Sequence, residues 1–338
     1  MKIGFYLKWE IRAFSDYGMN VLGEELLARA YCKYLLREKG IKNANVYAPN
    51  HKPDQKLDYM IYLNDTRPLR RIAKKHILYL QNAYKKDSYQ ALKKLRTYKY
   101  DGYAFISDEL RKLHNKDGFD GIFLPFGVDT EVFCPRKYDP EYDYEVSHVG
   151  NSYKGAKGAK KYLMPAINYK FGLFGRWGDP PIIILIGQKI PLVMNLWLRH
   201  MRARVKYNKD NFTYIFNHLC QGKIPQNNVP VLYSSSKINL NYTAEDSIKW
   251  NVITLRILEI IACKGFVITD GTAFARTELK DCVVCTSGGV DLDNKIKYYL
   301  SNLEERKRYA ENGYKYIIKN ATISKRVNTL LKYLKTIS

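Results

Sequence analysis

Cysteine is scarce in this sequence and follows no disulfide pattern. The chain has 338 residues and six cysteines, at positions 32, 134, 220, 263, 282 and 285. Cys282 and Cys285 form a CxxC pair, but no second pair and no nearby histidine completes a zinc site. Their segment, DCVVCT, is typical of a buried strand, so we interpret them as structural thiols, with a metal or redox role as the alternative. A chain without a disulfide framework suits a reducing cytoplasm.

Long apolar runs are also missing. The start of the chain, MKIGFYLKW, leads directly into charged residues, so we expect no signal peptide. No uninterrupted stretch reaches the roughly 18 apolar residues that a membrane-spanning helix needs. Repeats of fixed period and low-complexity tracts are absent from the sequence.

Acidic residues are in short supply. Asp and Glu number 33 against 56 Lys and Arg, which gives a net charge of +23 and a pI near 9.5. Such a balance favours an anionic partner, which could be nucleic acid, an anionic membrane surface or a phosphorylated substrate. A coding bias toward Lys and Tyr is the plain alternative. Because no RNA-recognition signature, zinc pattern or DNA-binding motif occurs, we do not expect nucleic acid.

Apolar and aromatic residues are plentiful, at 46% and 14% of the chain, so it can form sizeable cores. Its length favours two domains. Short apolar segments alternate with amphipathic ones, which predicts two α/β halves with parallel sheets. The predicted boundaries are 1–130 for the first half, 131–143 for a proline-containing linker, 144–320 for the second half and 321–338 for a last helix, which could pack back on the first half.

Several motifs of the second half follow one another in a recognisable order. They are HVGN, FGLFGRWG, LYSSSKINLNYT, LRILEIIACKGFVITD and GGVDLDNKIKYYL, and FGVDTEVFCP (126–135) precedes them. This order resembles that of GT-B glycosyltransferases, and in particular the group that includes the spore-maturation CgeB-like proteins. The resemblance covers about 145–320, whereas the first half matches only as a strand–helix pattern.

The resemblance implies two Rossmann-like domains that face a cleft. The C-terminal domain would hold a nucleotide-diphosphate sugar as the donor substrate, and the N-terminal domain would present the acceptor, which is a glycan, a lipid-linked glycan or a protein. It implies no other cofactor. No DxD motif lies in a suitable loop, so we expect no metal, and we interpret DLD at 291–293 as a helix N-cap.

The segment ITLRILEIIACKGFVITD (253–270) places two charged residues inside an apolar helix. By the resemblance, Glu259 accepts hydrogen bonds from the ribose hydroxyls of the donor, which suits a carboxylate because it only accepts. Arg256 lies three residues earlier on the same face, and with the helix N-terminus it would bind the diphosphate. The alternative is an ordinary salt bridge on a half-exposed helix.

Further candidates lie after predicted strands. Gly150, Asn151 and Ser152 would let backbone N–H groups approach phosphate, or form an ordinary turn. Arg176, with its neighbour Trp177, would border the base or the phosphates, or pack the domain. At the end of KINLNY, Asn241 and Tyr242 would point into the cleft.

The catalytic base is harder to predict. Many retaining GT-B enzymes have two glutamates eight residues apart, but Asn251 stands eight residues before Glu259, so the stereochemical outcome stays open. An inverting enzyme needs a base in the N-terminal half. Our first candidate is Asp16, followed by Asp65 and Glu24. A retaining enzyme could use the donor phosphate instead. We expect His76 and His148 to be structural.

Residues 180–206, PPIIILIGQKIPLVMNLWLRHMRARVK, form an insertion relative to the family pattern. From Pro191 onward, apolar residues with a tryptophan share one helical face and basic residues share the other, which is typical of a helix at a membrane interface. The alternative is a helix that packs on its own domain or on a partner.

Two other classes of function for the whole chain also stay open: a basic nucleic-acid-binding protein and an inactive GT-B scaffold in an envelope or coat assembly.

Overall fold

A computed structural model describes residues 1–11, 23–81, 87–152, 156–177 and 211–337. The chain divides into two compact units. The N-terminal unit consists of Met1–Thr130, Glu245–Leu255 and Ile318–Ser338, and the C-terminal unit of Glu131–Ala244 and Arg256–Ile317. The segment predicted as a linker, 131–143, thus lies within the C-terminal unit, where it forms a short 3-10 turn with a buried Tyr142.

The N-terminal unit is built on six parallel strands in the order β2-β1-β3-β4-β5-β6. Their bounds are β1 Lys2–Tyr6, β2 Asn43–Tyr47, β3 Leu57–Leu63, β4 Ala73–Leu80, β5 Gly102–Phe105 and β6 Ile122–Phe123. The central strands are buried on both faces, which explains their nearly continuous apolar sequences.

The C-terminal unit has five parallel strands in the order β11-β10-β9-β7-β8. Their bounds are β7 Val146–Val149, β8 Phe171–Phe174, β9 Ile238–Asn241, β10 Val267–Asp270 and β11 Val284–Thr286. Each sheet therefore has a strand order of the doubly wound type, in which the chain reverses direction beside the first strand.

Helices connect the strands. They are α1 Gly23–Leu35, α2 Ser88–Arg96, α3 Asp108–Lys116, α4 Ala156–Tyr162, α5 Asn211–Leu219, α6 Val229–Ser235, α7 Glu245–Lys249, α8 Leu255–Ala262, α9 Ala273–Thr277, α10 Val290–Ser301, α11 Leu303–Asn320 and α12 Ile323–Thr336. Within the described ranges, no helix is long and apolar enough to cross a membrane.

Several elements are shorter than the sequence predicts. The apolar spacing of NVITLRILEIIACKG predicts one helix over 251–265, but only α8 forms, because Asn251 and Lys264 adopt positive φ angles of 52° and 54° outside its two ends. The segment KKYLMPAINY predicts a helix over 160–169, but α4 ends at Tyr162 and a 3-10 turn that contains Pro165 follows, since proline lacks the N–H that would continue the helix. The segment 121–128 contributes only the two residues of β6.

The last helix, α12, completes the core of the N-terminal unit. Ile323, Val327, Leu330 and Leu334 recur at helical spacing, and all four are buried in that core. The entry of the helix is held by backbone hydrogen bonds with Val128, which accepts from Ile323 and donates to the carbonyl of residue 321. The helix is therefore part of the N-terminal unit.

The substitution Leu330→Ala should lower the free energy of unfolding by about 2–5 kcal/mol, because it leaves a cavity in this core. Asn328→Ala, at an exposed position of the same helix, is the matched control and should change it by less than about 0.5 kcal/mol. Urea unfolding measures both. Equal effects of the two substitutions would contradict the packing of α12 described above.

Candidate active site of the C-terminal unit

The topology of the C-terminal sheet marks one place where a ligand can bind. The chain leaves β7 toward β8 on one side and leaves β9 toward β10 on the other, so a crevice opens at the carboxyl ends of these two neighbouring strands. Gly150 follows β7 at this edge, and Tyr242 follows β9. Arg256 and Glu259 lie on α8, which belongs to the connection from β9 to β10.

The turn after β7 depends on glycine at two positions. A Cβ at Gly150 would lie 2.6 Å from Nε2 of His148 and 3.4 Å from Nη2 of Arg256. Gly175 has a φ of 127°, and a Cβ there would overlap the carbonyl oxygen of Gly150. That same oxygen accepts a 2.7 Å hydrogen bond from the indole N–H of Trp177. The close packing requires glycine at both positions and brings the guanidinium of Arg256 near this turn. Two of the N–H groups predicted to approach phosphate already donate within the protein, that of Gly150 to the carbonyl of Phe174 and that of Ser152 to the carbonyl of Arg176.

Asn151 and Ser152 join this turn to the loop after β8. The side-chain oxygen of Asn151 accepts from the backbone N–H of Arg176 at 2.9 Å. The N–H of Ser152 donates to the carbonyl of Arg176 at 3.1 Å. The two loops are therefore held together by the backbone of Arg176, and its side chain is half-buried. Trp177 is fully buried and packs the domain.

Asn241 positions Arg256. Its side-chain oxygen accepts from Nη1 of Arg256 at 3.2 Å, and its amide donates to the hydroxyl of Thr269 at 3.0 Å. Asn241 is buried, whereas Arg256 is half-buried. The arrangement holds the guanidinium near Gly150, and the hydroxyl of Tyr233 is a further hydrogen-bond partner of Arg256.

Glu259 is a half-buried carboxyl in this otherwise apolar helix. Burial raises its pKa to about 7, and the charge of Arg256 offsets part of that rise. Tyr233 on α6 is buried nearby, and its pKa is raised by burial and then by the charge of Glu259. A carboxyl that titrates near neutrality is ready to ionise when hydrogen-bond donors approach it.

Tyr242 differs from its predicted orientation. We expected it to point into the cleft, but its side chain is buried, with its ring centroid 5.4 Å from that of His148 and 6.1 Å from that of Tyr162. His148 donates from Nδ1 to the carbonyl of Leu240 at 2.8 Å. Tyr242 follows the last residue of β9, where the alternation of the strand no longer sets which way a side chain points. Tyr242 therefore packs inside the C-terminal unit, against His148 and Tyr162.

One residue at this edge was not predicted. Asp270 ends β10, is buried, and accepts from both the N–H and the hydroxyl of Thr243, at 2.5 Å and 2.8 Å. It therefore links the carboxyl ends of β9 and β10. Asp270 could have been named from the sequence, because it is the single acidic residue at the end of the apolar segment FVITD.

The N-terminal unit has a corresponding edge beside β1 and β3. Nζ of Lys8 pairs with Asp65 at 2.5 Å, and both side chains are 41% exposed. Asn64, with a φ of 55°, donates from its amide to Glu24 at the start of α1. Two of the predicted base candidates thus lie at the carboxyl ends of these strands. Asp65 follows β3, and Glu24, at the start of α1, is bonded to Asn64.

Two other predictions fall on parts of the chain outside the described residues. They are Asp16, the first candidate for a catalytic base, and the insertion 180–206 with its predicted interfacial helix. His76, predicted to be structural, is buried, and its Nδ1 lies 3.0 Å from the hydroxyl of Tyr62.

Metal ligands are not grouped in the described part of the chain, where no three His, Cys, Asp or Glu side chains could hold a metal ion. Cys282 and Cys285 are free, and burial raises the pKa of each thiol, to about 11 for Cys282.

The predicted N-cap at 291–293 needs correction, because the cap residue of α10 is Gly289. Asp291 instead accepts from the backbone N–H of Ser287 at 2.8 Å.

Comparisons with known proteins agree with this fold. Residues 170–332 match the model of the glycosyl transferase-like family. The fold is similar to that of sucrose-phosphate synthase from Thermosynechococcus elongatus, with a TM-score of 0.65, 10% identity and 100% of both chains covered. It is also similar to HepE from Anabaena in complex with UDP (TM-score 0.61, 13% identity, 99% of this chain and 100% of that chain). T4 phage BGT in complex with its UDP-glucose substrate is a further similar structure (TM-score 0.59, 15% identity, 100% of both chains). No curated protein matches the sequence.

The pKa of Glu259 generates a prediction for stability. Its folded pKa of about 7 lies above the ordinary 4.5, so its contribution to stability is fully present below about pH 4.5 and is lost as the pH rises through 7. Relative to Glu259→Gln, the wild type should lose unfolding free energy between about pH 5 and pH 8. Urea unfolding across this range measures the difference. Glu278→Gln, at an exposed position, is the control, and a parallel pH dependence in wild type and Glu259→Gln would refute the assignment.

Proposed function

We propose that this chain, a glycosyltransferase with the GT-B fold of two Rossmann-like domains, takes its sugar from a nucleotide-diphosphate donor held at the carboxyl edge of the C-terminal sheet. The observation that carries the proposal is the placement of Arg256, whose Nη2 lies 3.4 Å from the Cβ position of Gly150, with Glu259 three residues later on the same helix α8. Both residues lie inside the matched range 170–332.

Glu259 is proposed to accept hydrogen bonds from the ribose hydroxyls. Two hydroxyl donors favour the ionised form, so nucleotide binding should draw the carboxyl below its raised pKa. Uridine is the first base to test, since HepE and T4 phage BGT are described in complex with UDP or UDP-glucose.

Arg256 is proposed to bind the diphosphate. Its guanidinium has several N–H donors in a planar fork, and Asn241 holds that fork near Gly150, which has no Cβ atom. The backbone N–H groups at the start of α8 add partial positive charge on the same side. These groups supply the positive charge that the diphosphate needs, and we therefore propose that transfer is independent of metal.

The acceptor is proposed to be a glycan, a lipid-linked glycan or a protein, bound by the N-terminal unit, with Asp16 as the base if the enzyme inverts. The order of the motifs from HVGN to GGVDLDNKIKYYL supports a place in the CgeB-like group and a role in cell-surface glycan synthesis. Free thiols and the charge of +23 support a cytoplasmic enzyme that contacts the inner face of a membrane, with 180–206 as one contact.

A thermal-shift screen with UDP, GDP, CDP, ADP and short oligonucleotides tests the donor site. A nucleotide at 100 times its Kd should stabilise the protein by about 2.7 kcal/mol. Glu259→Ala should weaken binding of that nucleotide about 10- to 100-fold, because it removes charge-assisted hydrogen bonds. Glu304→Ala, at an exposed helix position, is the control. Stabilisation by oligonucleotides alone, with no response to any nucleotide, would favour a nucleic-acid-binding protein instead.

The role of Asn241 is testable by a double-mutant cycle. Asn241→Ala should weaken nucleotide binding about 5- to 20-fold, because Arg256 loses its partner. Once Arg256→Ala is present, the same change should have little further effect, so the two losses should not add. Isothermal titration of the two single variants and the double variant measures the coupling. Additive losses would mean that Asn241 does not act through Arg256.

A further inference from the structure

The connection between β3 and β4 carries a concentration of positive charge around an apolar side chain. Arg67, Arg70 and Arg71 are exposed, and Leu69 among them is 38% exposed. Lys99, also exposed, belongs to the turn before β5. These five residues, Arg67, Leu69, Arg70, Arg71 and Lys99, are called the basic patch below.

Hydrogen bonds hold the two segments of the basic patch together. Nη2 of Arg70 donates to the carbonyls of Tyr98 and Lys99, at 2.5 Å and 2.6 Å. The backbone N–H of Leu69 donates to the hydroxyl of Tyr62 at 3.0 Å. The guanidinium of Arg67 lies 5.7 Å from the centre of the Tyr98 ring. The patch is therefore a defined surface of the N-terminal unit.

Among the described residues, the cations of the patch lack ion-pair partners, and the nearby Asp101 accepts from the backbone N–H of His76. Across the part of the chain that the structure describes, none of its three arginines nor Lys99 forms an ion pair with Asp or Glu. The carboxylates on the neighbouring strand β3 and just after it are already paired, Asp58 with Lys74 and Asp65 with Lys8. An external anion would relieve the mutual repulsion of these cations.

The end of the β3–β4 connection and Lys99 lie away from the carboxyl edge of the sheet. The backbone of Ile72 accepts from Leu57, the first residue of β3, and Lys99 precedes β5. Both places are at the amino ends of the strands, whereas Lys8 and Asp65 are at the carboxyl ends of β1 and β3. A substrate held at that carboxyl edge would not reach these amino ends, so a separate partner fits the patch better.

We propose that the basic patch binds the headgroups of an anionic lipid bilayer, with Leu69 entering the boundary between headgroups and acyl chains. Arginine and lysine attract anionic lipid, and an exposed leucine among them gains from leaving water. Single-stranded nucleic acid fits less well, because stacking needs an open aromatic face and the Tyr98 ring is half-buried beneath Arg67. The proposal is independent of the glycosyltransferase activity.

The test is co-sedimentation with vesicles of phosphatidylglycerol and phosphatidylcholine, compared with vesicles of phosphatidylcholine alone. The triple variant Arg67→Gln, Arg71→Gln, Lys99→Gln removes three charges and keeps Arg70, which braces the patch. At about fivefold per charge, its partition onto anionic vesicles should fall on the order of 100-fold. Leu69→Ser should lower the partition several-fold, and added salt should not abolish that difference.

The matched control is Lys39→Gln, Lys116→Gln, Lys325→Gln, which changes the net charge equally at exposed positions of the same unit. It should retain most of the binding, and all variants should keep the wild-type melting temperature. Equal losses in the two triple variants, or none in the patch variant, would overturn the proposal. So would a loss of oligonucleotide binding with unchanged vesicle binding. Stabilisation by nucleotides, measured separately, reports on the donor site alone.

Discussion

The opposite directions in which the chain leaves β7 and β9 are the constraint on which the site depends. Neighbouring parallel strands lie about 4.8 Å apart, so segments that turn away from each other leave a crevice at their carboxyl ends. Gly150 stands on one side of that crevice and α8 on the other. A Cβ atom at Gly150 would clash with the ring of His148, and one at Gly175 would overlap the carbonyl oxygen of Gly150, so the turn requires glycine at both positions.

A carboxyl in an apolar helix disfavours folding when it ionises, as the raised pKa of Glu259 shows. The surrounding residues limit that effect without removing it. Arg256 lowers the pKa, but its guanidinium is held by Asn241 rather than by the carboxylate in an ordinary ion pair. The charge of Glu259 is thus only partly compensated within the protein. Such a departure from good packing is expected where function, and not stability, selects the residue.

Much of the fold could be predicted from the sequence because parallel strands buried on both faces leave nearly continuous apolar segments, as in LDYMIYL of β3. The ends of elements were harder to predict, since the sequence around Asn251 and Lys264 does not mark these two residues as the ones with positive φ angles. Within the site, the positions of Glu259 and Arg256 could be named from their charge in an apolar helix. The buried role of Asn241 and the inward orientation of Tyr242 could not, because both depend on which strand neighbours β9.

The two sheets share the same reversal of strand order, yet they place different chemistry there. The C-terminal edge presents a cation and a carboxyl that titrates near neutrality, which suits a ligand with both phosphates and hydroxyls. The N-terminal edge presents an exposed ion pair of Lys8 and Asp65 and a glutamate bound to Asn64, which suits neutral hydroxyl groups better than phosphates. The uncompensated positive charge of that unit lies instead toward the amino ends of β4 and β5. The proposed donor site thus has one cation, Arg256, beside its carboxyl, whereas the proposed lipid surface has four.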